Sequence, residues 1–577
     1  MRPFPFTLVI SLLIWSNLIV ALQNWPNIST QMEIALRTQR DVSKPIPIDQ
    51  LTNPGVSLNS LLFDIDGYVT DSVNEFYTLL TVGIKTFMLD LYWNEFTGKW
   101  QLCPAPFPSN ITDVNSAQTV IWGGIQYKCE PSASISDLMQ VLYTFIIETN
   151  TNMDVDLVQM LFTLNSITAG MTNTTLYTNS ILNNLGNTSL NATIGSLNTY
   201  IFSPTDLESY EANLQQNQYS NFYNSSSQTL PSLSTVLLTD FKRVMFNVIA
   251  NNLANTTRKY ILSTEDTSMI FFSGTNLNTT LVANEDSILE QCGSLPSMDL
   301  NDTENVIFFN DLSLNTHFRY VIDNPDNGFS NDTFRDYMQC GIAPILNSSY
   351  YNLGTGESDQ IPDIANEFAP LSFWSWAPGE PSSYNSSVNA TVLTNFTQDL
   401  SGSQEAYKCV TLDAEGWAVA NCYKTYQYAC QNTNSPNDWI ISRDEKKEYF
   451  DAYKDGACPD GYILSLPRSS IEQLSLRSAI QRQNGTYPVW IDLNDITVSG
   501  CFVSGGPYAD CPYQKTVSEA KLVRLIAPSF VVAVIVLLLI FIEKIFRVHP
   551  IQTNRKRYWK HVVQEYNEKN AFEGVPS

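Results

Sequence analysis

The sequence predicts an α/β chain: a closed parallel barrel, then a smaller disulfide-stapled module, then one membrane-spanning helix. Three observations carry this. Short, near-continuously apolar runs alternate with helical patterns from Leu58 to Ala377; cysteine and tryptophan crowd together after Gln398; and Leu525 to Ile542 contains no charged side chain. With 577 residues, 44% of them hydrophobic, the chain is long enough for two to four domains with substantial cores.

The barrel reading starts from seven strand candidates: Ser60–Ile65, Thr86–Tyr92, Leu157–Leu164, Val244–Ile249, Met269–Phe272, Val306–Phe309 and Leu371–Trp376. Strands apolar along both faces belong to buried parallel sheets, because crossover helices cover each side. Ile135 to Ile147 supplies such a helix, with Leu138, Leu142, Phe145 and Ile146 at helical spacing. Two stretches rich in Asn, Ser and Thr, Asn165–Tyr200 and Gln215–Ser234, read as surface insertions. The expected barrel domain is 22–397, the Cys-rich module 398–511 and a stalk 512–524.

Cys409, Trp417, Cys422, Cys430, Trp439, Cys458 and Trp490 give the module its texture, followed by Cys501 and Cys511. All ten cysteines lie ahead of the apolar run, an even number, and so read as disulfides. Proximity suggests Cys103 with Cys129, Cys292 with Cys340, Cys409 with Cys422, Cys430 with Cys458, and Cys501 with Cys511. Zinc is disfavoured, since no Cys-x-x-Cys occurs and His317 is the sole histidine before the run. No cofactor is expected.

The span, 525–542, would measure about 27 Å as a helix, close to a bilayer's hydrocarbon core. The basic tail, 543–577, holds Lys544, Arg547, Arg555, Lys556, Arg557 and Lys560, which predicts a cytosolic tail. At the other terminus, Arg2 and the apolar stretch Phe6–Val20 have the layout of a signal peptide, 1–21, cleaved near Ala21. Retention as an anchor is the alternative and would give two spans. Fifteen Asn-x-Ser/Thr sites precede the span and none follows it: Asn27, Asn110, Asn173, Asn187, Asn191, Asn224, Asn255, Asn278, Asn301, Asn331, Asn347, Asn385, Asn389, Asn395 and Asn484. Together these predict a single-pass type I membrane glycoprotein with its bulk lumenal or extracellular.

Net charge is −25, and the tail contributes a local +3, leaving −28 on the remainder. Such a surface repels phosphates, so direct nucleic-acid binding by that portion is not expected. The sequence has no Gly-x-Ser-x-Gly elbow, phosphate-cradling loop or dinucleotide fingerprint.

Ser57-Leu58-Asn59-Ser60-Leu61 and Gly83-Ile84-Lys85-Thr86-Phe87-Met88-Leu89-Asp90-Leu91-Tyr92-Trp93 resemble the opening of the phosphatidylinositol phospholipase C superfamily, a TIM barrel. The resemblance implies a histidine where Leu58 stands, a glutamate where Met88 stands, and a second histidine near Trp100-Gln101-Leu102-Cys103-Pro104. This chain has none of them. Phosphodiester cleavage needs one group to accept a proton and another to donate one, and neither leucine nor methionine can. Leu58, Met88 and Asp90 thus mark a vestigial site. The enzyme alternative is a divergent phosphodiesterase or glycosidase that uses Asp64, Asp66 and Asp90.

Trp374-Ser375-Trp376-Ala377-Pro378-Gly379-Glu380-Pro381, with Cys409, Gly416-Trp417, Cys422 and Cys430, resembles the second half of a C-type lectin domain. Cys458-Pro459-Asp460-Gly461-Tyr462 through Val489-Trp490-Ile491-Asp492-Leu493 resembles the first half, in reversed order. One permuted module, two degenerate ones, or a barrel strand ending at Trp376 with a lectin-like piece attached all satisfy this pattern. The calcium ligands that the lectin resemblance implies are replaced by Ser382 and by Ala418-Val419-Ala420.

The order of these parts, with Leu91-Tyr92-Trp93-Asn94 and Trp100-Gln101-Leu102-Cys103-Pro104, resembles the fungal maintenance of telomere capping protein 6 family. That resemblance implies a glycosylated membrane protein whose contribution to telomere capping is indirect. The leading expectation is a non-enzymatic interaction protein that binds a glycan, glycolipid or protein on the lumenal side. A purely structural component of the cell wall or secretory pathway is the third reading.

Overall fold

The computed structural model describes residues 28–570 except 110, 169–185, 213–229, 256–257, 278, 283–317, 325–327, 348–370, 383–405, 443–444, 455 and 514–518. Residues up to Pro512 form one compact unit and Tyr513 onward a second. The expected signal peptide, the candidate strand Val306–Phe309 and His317 lie outside the described residues.

The first sheet has ten strands: β1 (Gly55–Ser57), β2 (Thr86–Asn94), β3 (Lys99–Gln101), β6 (Val158–Ser166), β7 (Ile201–Phe202), β8 (Val244–Asn252), β9 (Phe271–Phe272), β10 (Thr279–Val282), β11 (Phe318–Ile322) and β12 (Ala343–Leu346). A hairpin of β4 (Gln118–Trp122) and β5 (Ile125–Cys129) stands apart. The sheet order is β10-β11-β12-β1-β2-β6-β8-β7, with β3 on β2 and β9 on β8. Every pairing in it is parallel except that of β3 with β2.

Side-chain contacts show that this sheet curls. β11 and β6 are four steps apart, about 19 Å in a flat sheet at roughly 4.8 Å per strand. Yet the Tyr320 hydroxyl donates to Gln159 Oε1 at 2.9 Å across the interior. Asn247 on β8 likewise donates to Thr279 Oγ1 on β10 at 3.1 Å, bringing strands six steps apart on the path into contact. Among the described residues no backbone ladder joins β8 to β10.

Alternation along the strands sorts the two faces. Met88, Leu161, Met245, Phe271, Tyr320 and Ile345 point inward and pack together, joined by Ile48, Leu233 and Leu237 from segments ahead of the strands. Phe87, Leu89, Met160, Phe162 and Phe246 point outward against the helices Thr70–Thr81 and Ile135–Glu148. The second helix begins at a capping box, with Ser134 accepting from Asp137 N while Asp137 accepts from Ser134 N. Its Leu138, Leu142, Phe145 and Ile146 are all buried.

Several expectations change. Ser60–Ile65 is not a strand: β1 ends earlier, and Asn59–Phe63 winds into a π-type turn that continues to Asp66. A short apolar run fits a buried helix as well as a strand, and Gly67, at φ 100°, ends it. Met269 closes a short helix, leaving only Phe271–Phe272 as strand. Asn165–Tyr200 is not all surface insertion, since Leu190, Ile194 and Leu197 are fully buried in the barrel core.

Leu371–Trp376 is not a barrel strand either. Phe373, Trp374 and Trp376 belong to a second core with Val410, Trp417, Leu476, Ile480 and Ile491. Around it run β13 (Tyr407–Leu412), β14 (Trp417–Asn421), β15 (Gln427–Asn432), β16 (Ser435–Ile441), β17 (Tyr462–Leu464) and β18 (Val489–Asn494), in the order β14-β13-β18-β15-β16 with β17 on β15. The helix Ser470–Arg482 packs on β16, where Trp439 Nε1 donates to Ser475 Oγ at 3.0 Å. The two segments that resemble lectin halves therefore share one sheet and one core.

This module rests on the barrel. Ile471 and Leu474 enter the barrel core, Thr52 and Ser470 hydroxyls meet at 2.8 Å, and Arg477 donates to Gln339 at 3.1 Å.

The second unit contains a 52-residue helix, Glu519–Asn570. Within it Ala527–Phe546, mean hydropathy 2.7, is long and apolar enough to cross a membrane. The expected span 525–542 overlaps this stretch. The expected stalk is helical from Glu519, and the same helix continues through the basic tail as far as Asn570.

Candidate functional site

The carboxyl end of β1 and β2 from its midpoint onward bring together Asn59, Asp64, Tyr68, Asp90 and Tyr92, and Thr163 joins them from β6. Asn59 Oδ1 accepts the Asp90 backbone N–H at 2.7 Å, locking the turn after β1 to β2. Its Nδ2 contacts the Tyr68 hydroxyl at 3.5 Å, and Tyr68 donates to Asp64 Oδ1 at 3.1 Å. Asp90 sits one inward position above Met88 and beside Thr163, its register partner on β6 and hydrogen-bond partner.

Electrostatics follow from that crowding. Burial pushes the Asp90 carboxyl up to about 6, against the Thr163 hydrogen bond, and the Asp64 charge adds to the rise. Asp64 keeps solvent contact, yet partial burial of its carboxyl raises it, with Tyr68 opposing. Tyr92 is pushed up by burial and by the charges of Asp90 and Asp64, and Tyr68 by burial first. Both phenols thus stay protonated at neutral pH.

The three aspartates of the enzyme alternative do not gather. The Asp64 charge acts on Asp90, whereas the Asp66 charge acts on Glu75. Leu58 is fully buried in the outer core, and Met88 packs in the apolar interior beneath Asp90. Cys103, at the expected second histidine position, is bonded to Cys129. Tyr68 and Thr163 were not evident from sequence. Reading 60–65 as a strand hid the turn, ended by Gly67, that brings Tyr68 back onto Asp64, and only the β2–β6 register identifies Thr163.

In the lectin-like module, Glu380 is already engaged. Its carboxylate accepts from Ser382 N at 2.6 Å, Ser382 Oγ at 3.0 Å and Val419 N at 3.3 Å. Ser382 and Val419 occupy the two positions where the lectin resemblance implies calcium ligands, and here they satisfy a carboxylate instead.

Disulfides join Cys103–Cys129, Cys409–Cys422, Cys430–Cys458 and Cys501–Cys511. Cys340 is also disulfide-bonded, and Cys292, its expected partner, lies outside the described residues. Of the sequon asparagines, Asn255, Asn331 and Asn484 are exposed. Asn187 instead donates through Nδ2 to Ser136 Oγ at 2.8 Å, and Asn347 Oδ1 accepts from Ser60 at 3.1 Å. Asn191 is half-buried. Asn27, Asn110, Asn173, Asn224, Asn278, Asn301, Asn385, Asn389 and Asn395 lie outside the described residues.

Known proteins place the whole chain. The MTC6 partial TIM-barrel domain matches residues 26–368. Maintenance of telomere capping protein 6 of Debaryomyces hansenii is 45% identical over 620 residues, covering 100% of both chains. The Candida tropicalis protein of that name is 44% identical, again over 100% of both. That of Komagataella phaffii is 27% identical over 96% of this chain and 97% of its own. Among solved structures, phosphatidylinositol-specific phospholipase C from Listeria monocytogenes covers 60% of this chain and 100% of its own, at 8% identity and a TM-score of 0.25. The Staphylococcus aureus enzyme covers 58% and 99%, at 11% and 0.24. Those two likenesses are too remote to inform the site. The full-length relatives and the domain match agree: this chain belongs to the maintenance of telomere capping protein 6 family.

Proposed function

We propose that this chain is a non-enzymatic, single-pass type I membrane glycoprotein that acts indirectly in telomere capping by binding a lumenal or cell-surface partner. One observation carries the reading. At the barrel mouth, where hydrolysis would need groups that accept and donate protons, positions 58 and 88 hold a buried leucine and a buried methionine. Full-length relatives named for maintenance of telomere capping support the cellular role. The candidate span and the sequons confined to one side of it support the topology, which places most of the chain across a membrane from chromatin.

A divergent hydrolase is the second reading, favoured by Asp90, whose carboxyl at about 6 beside Asp64 suits a general acid. Complementation separates the two. In cells lacking this protein, Asp90→Asn is expected to restore capping as fully as the unaltered chain. Loss of capping with normal abundance and glycosylation would favour the hydrolase.

A further inference from the structure

A cleft of about 430 Å³ opens on the lectin-like module between β17, β18 and the loop carrying Gly505. That is within the range of small-molecule sites, about 300–1,000 Å³. It lies on the β17 side of the sheet, whereas Glu380 contacts Val419 on β14 at the opposite edge. The cleft is thus separate from the position where the lectin resemblance implies a calcium-held sugar.

Two tyrosines wall it, each pinned through its hydroxyl. Tyr453 donates to the Gly505 carbonyl at 2.9 Å, and its ring lies so close to Gly506 that an added Cβ would come within 2.3 Å. Tyr462 donates to Asp438 Oδ2 at 2.6 Å, an oxygen that also accepts from Asn432 at 2.8 Å. The Cys430–Cys458 disulfide ties β15 to the loop ahead of β17. Aromatic rings fixed before a ligand arrives have little freedom left to lose on binding.

Charge around the cleft is balanced. Lys454 pairs with Asp451, and Arg468 acts on Asp492. Asp492 also accepts from Gly505 N at 2.8 Å, Gly506 N at 3.0 Å and the Tyr449 hydroxyl at 3.1 Å. With cations and carboxylates offsetting one another, the cleft has no strong preference for an ion of either sign. It offers flat aromatic surface beside polar donors and acceptors, which suits a ring with C–H faces and hydroxyl edges. We infer that this cleft binds a neutral hexose unit of a glycan, stacked on Tyr453 and Tyr462, without calcium. The inference rests on the reading of the exterior portion as a binding part and specifies its ligand class.

The test uses the full chain in a detergent without a sugar head group, with EDTA present. Mannose, glucose, galactose and N-acetylglucosamine are each titrated and followed by saturation-transfer difference NMR. At least one sugar is expected to show saturation of its ring C–H protons. Tyr453→Ala should weaken the signal at least fivefold, while Tyr453→Phe keeps it. If Tyr453→Ala unfolds, Ser504→Trp at the exposed rim blocks the cleft without touching the core. Signal that emerges only after enzymatic trimming assigns the occupant to the chain's own N-glycans, and signal before and after trimming to an outside glycan. No saturation by any of the four sugars, before or after trimming, would overturn the inference. So would a requirement for calcium, or binding unchanged in both Tyr453→Ala and Ser504→Trp. Any of these would leave the membrane topology and the question of catalysis untouched.

Discussion

Asp90 is the residue on which the enzyme question turns, and it has a measurable thermodynamic signature. Its folded carboxyl lies at about 6, against roughly 3.9 for an aspartate in an unfolded chain. Between those values the folded state holds the extra proton, so the stability contributed by neutral Asp90 is complete below about 4 and is lost as pH rises to about 6. Above that the penalty is constant. Asp90→Asn should raise stability at pH 7.5 by roughly 1–3 kcal/mol and flatten the slope, as read by urea unfolding at several pH values. Asp49, also pushed to about 6 by burial near Arg319, leaves part of the slope in place. Asp90 itself could be picked from sequence by its place in the Leu89-Asp90-Leu91 string, although it lies midway along β2 rather than at its end. Its partners could not, because Tyr68 depends on the chain reversal at Gly67 and Thr163 on strand register. Among sequons, exposure predicts that peptide mapping finds glycans at Asn255, Asn331 and Asn484. Asn187, whose amide nitrogen is spent on Ser136, should be unmodified.

At the scale of elements, pattern was readable where burial is two-sided. β2, β6 and β8 coincide with apolar runs because both of their faces are packed. It failed where a run was short, as at Ser60–Ile65, or where tertiary contact decides, as at Leu371–Trp376. That second segment docks against Trp417 through Trp374 and Trp376, each with ring centroids 5.6 Å away. Gly416 makes the docking possible. Its φ is 151°, and an added Cβ would lie 2.6 Å from Ala377 N and 2.7 Å from the Trp376 carbonyl carbon. Gly416→Ala is therefore expected to destabilise the module by roughly 2–3 kcal/mol. Tryptophan fluorescence during denaturation reads this directly. An unchanged midpoint would mean that the 374–376 segment does not pack there. That the two segments resembling lectin halves pack in one core is a tertiary fact no local pattern carries.

For the whole molecule, the sequence foretold the apolar span, but not how the parallel sheet curls. The curl depends on contacts such as Asn247 with Thr279, between strands that no local pattern links. The charge distribution, −28 before the tail and +3 within it, and the sequons on one side of the span underlie the topology that the proposed function requires. Sealed membrane vesicles with the cytosolic face outward, treated with protease and then with N-glycosidase, test that topology most directly. The account predicts a large protected fragment that has lost only the tail and shrinks on glycan removal. Digestion of the barrel and lectin-like module in intact vesicles, with no glycan to remove, would contradict it.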